Sequence, residues 1–134
     1  MADSMHLSEY THEIQLVGKL QQNIIDLLKI TLVEGDIFIY PGAIRHIKNR
    51  HPAEFKKYFH KIPEIISTPD YVGVHPNEPN SVEFVKVLED DVLVAIKLSP
   101  DGYLFLSSMY VLTPAKVPKR LKNGRLIAVL KNNS

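Results

Sequence analysis

The sequence changes character between Ile66 and Tyr71. Ahead of that point apolar residues recur mostly at helical spacing. Beyond it they alternate or run together, as they do in strands. Helices gathered in one half and strands in the other do not make the alternating βαβ units of a doubly wound parallel sheet. The chain therefore reads as α+β, with N-terminal helices packed on an antiparallel sheet of about four to five strands. Its 134 residues are enough for one core and too few for a two-domain cofactor enzyme. The expected organisation is a flexible or disordered N-terminus over residues 1–11 and a single domain over 12–134.

The element reading follows the apolar spacing. Helices are predicted over 21–30, 43–50, 53–60 and 62–66, with Ile44 and Ile47 inward in the second and Phe55, Tyr58 and Phe59 in the third. Pro52 disfavours helical geometry at His51, so a break is expected there, with Pro52 opening the following helix. Strands are predicted over 12–20, 36–40, 71–75, 82–88, 92–98, 103–111 and 126–130, and Pro41-Gly42 reads as the turn that closes the second of them. Ser99-Pro100-Asp101-Gly102 is a hairpin turn, since proline starts such turns and glycine takes the positive φ they need.

Several function classes drop out. The chain has no cysteine, which excludes disulfides, thiolate nucleophiles and cysteine-based zinc sites. No apolar run approaches the roughly 20 residues of a membrane-spanning helix, and residues 1–10 lack the basic-then-apolar pattern of a secretory signal. A cytoplasm, its own or that of a cell into which the protein is delivered, is the expected location, with no membrane partner. The phosphate-loop, dinucleotide-glycine, HExxH and GxSxG patterns are all missing.

Net charge is only +1, but it is segregated. Residues 37–61 carry Arg45, Lys48, Arg50, Lys56, Lys57 and Lys61 against Glu54 alone, and 116–134 carry Lys116, Lys119, Arg120, Lys122, Arg125 and Lys131 with no acid. The stretches 1–36 and 62–91 are acidic in compensation. If folding joins the two basic blocks, the surface can hold a phosphate backbone; if not, they are solvated helix faces and a basic tail.

The residues best suited to chemistry lie in Arg45-His46-Ile47-Lys48-Asn49-Arg50-His51-Pro52, where two histidines five apart each follow an arginine. Histidine exchanges protons near neutral pH, and an adjacent cation can hold the phosphate it acts on. Ordinary explanations also exist: His46 as a partly buried helix residue, and His51 as a helix C-terminal cap. No acid stands near both histidines to complete a metal set. Ser107-Ser108-Met109-Tyr110 is the second candidate, with period-2 geometry placing Ser108 and Tyr110 on one face and Ser107 and Met109 on the other. The hairpin would bring Lys97 close by. Singly these are edge-of-sheet polar groups, whereas converged they would make a metal-free RNase site.

The layout resembles the barnase–EndoU–colicin–RelE-like ribonucleases, especially their phage- and prophage-associated subgroup. The resemblance covers residues 17–130 and rests on Val17-Gly18-Lys19-Leu20, Arg45-His46-Ile47, Arg50-His51-Pro52, Ile62-Pro63-Glu64-Ile65-Ile66, Pro69-Asp70-Tyr71-Val72, Val94-Ala95-Ile96-Lys97 and Ser107-Ser108-Met109-Tyr110-Val111. It implies a metal-independent, toxin-like endoribonuclease with no cofactor and no metal, which cuts RNA, tRNA among the candidates, to a 2′,3′-cyclic phosphate. In that light His46 and His51 are the acid/base pair, Lys97 stabilises phosphate charge, and Ser108 and Tyr110 bind or orient the scissile phosphate. Arg45, Arg50 and Ser107 become substrate contacts. Either serine can occupy the catalytic position, because related domains often carry threonine there. An immunity or antitoxin protein is a partner that the resemblance allows. The alternative from another class is a catalytically inactive RNA- or protein-binding module on the same fold.

Overall fold

A computed structural model describes residues 6–130. The strand β1 (Gln15–Leu20) leads through helix α1 (Gln22–Leu28) to β2 (Gly35–Ile39), and the two strands pair antiparallel. Three helices follow, α2 (Pro41–Arg50), α3 (Pro52–Tyr58) and α4 (Ile62–Ser67), with a 3-10 turn at Phe59–Lys61 between the last two. Each of the three carries proline in its first turn, where the missing N–H is not needed and the fixed φ suits a helix. Pro41 therefore opens α2, and it does not close a turn as its pairing with Gly42 suggests.

Four strands come next: β3 (Tyr71–His75), β4 (Glu78–Val87), β5 (Asp91–Leu98) and β6 (Leu104–Leu112). Helix α5 (Lys116–Lys122) and the short β7 (Leu126–Ala128) complete the chain's elements. The 99–102 turn forms as its residues dictate: the Gly102 N–H donates to the Ser99 carbonyl at 3.0 Å, and Gly102 sits at φ 91°. The fold is α+β, as expected, but the sheet is larger than four or five strands and is not wholly antiparallel. Its seven strands run β1-β2-β6-β5-β4-β3-β7, and β2 lies parallel to β6. Local periodicity cannot show this, because the β2–β6 and β3–β7 pairings join stretches far apart in sequence.

The sheet has two unlike faces. One packs Val17, Leu20, Ile37, Ile39, Val72, Phe84, Val94, Ile96, Leu106 and Met109 against the buried residues of α1 to α4. The other, the open face, carries a smaller cluster, in which Val117 of α5 packs with Val85, Leu93, Leu112 and Leu126, while Lys97, Ser108 and Tyr110 stay partly exposed. Leu7 is buried in the larger core and Lys48 pairs with Glu9 at 3.2 Å, so residues 6–11 lie against α2; residues 1–5 of the expected flexible terminus are outside the described residues. No helix among the described residues is long and apolar enough to cross a membrane.

Helix α3 is fastened at its far end. The Tyr58 hydroxyl donates to Asp90 Oδ2 at 2.6 Å, the Asp90 N–H donates back to that hydroxyl at 3.1 Å, and Lys57 pairs with Glu89 at 2.9 Å. Burial and the Asp90 carboxylate together hold the Tyr58 phenol above its ordinary pKa. These contacts tie the end of α3 to the turn between β4 and β5.

Candidate active site

His51 is both the last cap of α2 and the first of α3. The proline after it keeps its backbone out of the helical region, at φ −136° and ψ 62°. Its N–H still donates to the Ile47 carbonyl and its carbonyl accepts from the Phe55 N–H, both at 2.8 Å, so the corner is rigid. The half-buried imidazole is thereby turned onto β6, with its ring centroid 5.9 Å from that of Tyr110 at a 30° tilt. The cap position foreseen as an ordinary explanation is thus real, and it is also what sets this histidine on the tyrosine.

His46 is exposed, unlike the partly buried residue that its place on a helix suggested. It lines a cavity of about 380 Å³ together with Tyr40, Ala43, Ser99, Phe105, Leu106 and Ser107. Ser107 occupies a β-bulge: Ser108 pairs with Ala95 and Leu106 with Ile96, which leaves Ser107 without an opposite residue. Its hydroxyl donates to the Ala95 carbonyl at 3.2 Å.

Beyond the bulge the period-2 expectation holds. Met109 is fully buried in the helix-side core, and Ser108 and Tyr110 belong to the open face. Lys97, two residues from Ala95 on β5, shares that face opposite Phe105. Its ammonium is engaged by Glu78 at 2.8 Å, and that hydrogen bond holds the Glu78 carboxyl below the usual carboxylate range. His51 and Tyr110 therefore come together, as do His46 and Ser107, and Ser108 stands between Tyr110 and Lys97 along the sheet. His51, Tyr110 and Lys97 do not line the His46 cavity.

Arg45 and Arg50 are exposed, with no hydrogen-bond or ion-pair partner among the described residues. Arg50 lies on the stripe of α2 that begins at Ala43 and passes through His46, whereas Arg45 falls beside it. Of the first basic block, Lys48, Lys57 and Lys61 are paired with Glu9, Glu89 and Glu64. Lys131 of the second block lies outside the described residues.

The spacing arguments missed a pair in the middle of the open face. Glu83, only 1% exposed, accepts two hydrogen bonds from Arg125, from Nε at 3.0 Å and Nη2 at 2.8 Å. These bonds raise the arginine above its ordinary pKa, and Tyr110 is close enough to interact with it electrostatically. Arg125 reaches this place because β3 has glycine at position 73, where any Cβ would run into the Arg125 carbonyl oxygen. An acid set between the apolar Val82 and Phe84 of β4 was a usable signal for Glu83; its partner, 42 residues away, had none. His75, at the end of β3, stands 4.0 Å from Glu78 and so adjoins Lys97's partner.

His51, from the stretch of the first basic block, thus contacts Tyr110, and Arg125, from the second, interacts electrostatically with the same residue. Among the described residues no three His, Asp or Glu side chains gather as a set able to hold a metal ion. Residues 14–119 match the family model described as phage-Barnase-EndoU-ColicinE5/D-RelE like nuclease3, a stretch that contains every candidate above except Arg125. No curated protein and no solved structure matches the chain.

Proposed function

Because the chain belongs to the phage-Barnase-EndoU-ColicinE5/D-RelE like nuclease3 family, we propose that it is an endoribonuclease that cuts RNA by acid/base transesterification without a metal ion. The supporting observation is the contact of His51 with Tyr110 within electrostatic reach of Arg125, on a sheet face that also carries Ser108 and Lys97. In this reading the ribose 2′-hydroxyl gives its proton to a histidine as its oxygen bonds to phosphorus. The bond from phosphorus to the 5′-oxygen then breaks, and that oxygen takes a proton from the acid partner. The products are a 2′,3′-cyclic phosphate and a 5′-hydroxyl.

His46 and His51 divide the base and acid roles, and Tyr110 and Ser108 orient the phosphate. Lys97 and Arg125 face the charge that builds on its oxygens, each tempered by the carboxylate it already holds. Arg45, Arg50 and Ser107 contact the strand on either side. The setting is toxin-like and phage-borne, with RNA as substrate and an immunity or antitoxin protein as partner.

The test is incubation of the purified chain with total tRNA and rRNA in EDTA, followed by analysis of the new ends. Fragments ending in 2′,3′-cyclic phosphate, lost in the His46→Ala/His51→Ala double variant, are the expected result. RNA left intact over a wide protein excess ends the nuclease reading. RNA held but uncut, with binding that weakens steeply in salt, points to the binding module instead.

A further inference from the structure

The cavity beside His46 has a chemistry that phosphate binding does not require. Its walls are largely carbon, and the rings of Tyr40 and Phe105 meet in it edge to face, with centroids 6.4 Å apart and planes at 88°. That arrangement leaves ring surface unused, and Tyr40 remains 40% exposed. Two hydroxyls have complementary capacity to spare. Ser99 Oγ accepts from the Tyr103 N–H at 3.0 Å and keeps its own proton to donate; Ser107 has spent its proton on Ala95 and keeps lone pairs to accept. At about 380 Å³ the space lies near the lower end of small-ligand pockets. Arg50 follows His46 by one turn on the same stripe of α2, its cation unpaired among the described residues.

Aromatic surface, one donor, one acceptor and a cation a helical turn away are what a protein presents to hold a nucleotide's base and phosphate jointly. We infer that the Tyr40–Phe105 cavity is a nucleobase subsite, which takes one unpaired base of an RNA strand and lays the adjoining phosphate along the His46–Arg50 stripe. The inference rests on the nuclease reading above and adds a substrate class to it. A base within a duplex is stacked on both sides and paired at its edge, so only single strands, loops or splayed-out nucleotides can enter.

The experiment uses a short single-stranded oligoribonucleotide, made uncleavable by 2′-deoxy substitution, with an abasic residue moved one position at a time along it. Titration calorimetry with the wild type and with Tyr40→Ala gives a thermodynamic cycle at each position. At one position the abasic residue is expected to weaken binding about tenfold, the same as Tyr40→Ala does, with no further loss when both are present. Phe105→Leu, which keeps the apolar volume, should weaken binding in the same way, and thermal melting checks that both variants are folded. Additive losses at every position, or unchanged binding by folded Tyr40→Ala and Phe105→Leu, would overturn the subsite. If the wild type cuts RNA and the cycle shows no coupling, the subsite alone falls. If coupling appears but no RNA is ever cut, the subsite stands and the nuclease reading falls. An oligonucleotide that does not bind at all removes both.

Discussion

The imidazole of His51 rests against the ring of Tyr110, 5.9 Å between centroids, across the gap between a helix corner and a β-strand. The two side chains reach that contact by unrelated routes. One is turned out of a helix by the proline that follows it, and the other projects from the open side of β6 after the bulge at Ser107.

Removing either group should affect turnover more than folding. His51→Ala keeps both backbone bonds of the corner, so its melting temperature should stay within a few degrees of wild type, while kcat on RNA falls by about 10²- to 10⁴-fold. Tyr110→Phe keeps the ring and loses the hydroxyl, and kcat should fall about ten- to a hundredfold. Steady-state kinetics beside thermal melting separate the effects; a folded Tyr110→Phe at full activity would remove the hydroxyl from the mechanism.

Arg125→Ala strands a carboxylate that is 1% exposed. Breaking a buried pair from one side costs about 3–5 kcal/mol, and the 20% exposure of the Arg125 side chain puts this case at the lower end of that range. Replacing both residues, as Glu83→Leu with Arg125→Met, should restore most of the loss in urea unfolding. Recovery in the double variant identifies the unpaired charge, and not lost packing, as the cause.

Gly73→Ala is expected to prevent docking of β7. The new methyl would occupy the place of the Arg125 carbonyl oxygen, and backbone cannot move aside as a flexible side chain does. Amide exchange should show the β3–β7 bonds opened while the β4–β5–β6 ladder stays protected; retained protection across 126–128 would contradict the close approach.

Lys97 is held by Glu78, and this makes a pH-dependent prediction. The folded-state pKa of Glu78 is depressed, so the pair's contribution is present above the unfolded glutamate value and is lost as pH falls through the lower folded value. In carboxyl-detected NMR titration Glu78 should titrate below the ordinary glutamate range, and Lys97→Met should move it back up. At neutral pH, Glu78→Gln frees the ammonium. RNA binding should then tighten, and the slope of log K against log salt should steepen by about one.

Tyr58→Phe tests the anchor of α3. It removes the hydrogen bond to the Asp90 carboxylate, and about 1.5–3 kcal/mol of stability should go with it in urea unfolding. Activity should fall as well if the α2–α3 corner holds His51 in place.

The sequence was most legible where one residue type dictates local geometry. Pro52 marks a helix start, Pro100 with Gly102 marks the hairpin, and alternation past the bulge places Ser108 and Tyr110 on one face, whereas Pro41, read with Gly42 as a turn, opens a helix instead. The histidine-bearing corner was legible for the same reason. What escaped depends on pairing across distance. Nothing near Ile37 announces that it will lie parallel to Leu104, and nothing near Arg125 announces Glu83. The size of the sheet fell short although all seven strand segments were read, and the charge-bearing pair at the centre of the face was missed, because both arise from topology and not from local period. Lys97 was rightly placed near the face, but its engagement by Glu78 depends on a third strand.

The close approach over Gly73 also bears on how the protein comes to be competent. Arg125 gains its place on Glu83 only when β7 pairs with β3, a union of distant stretches that a folding chain reaches slowly. A partly built sheet carries the histidines without the arginine. Under the proposed mechanism, docking of β7 and completion of the charged site therefore coincide.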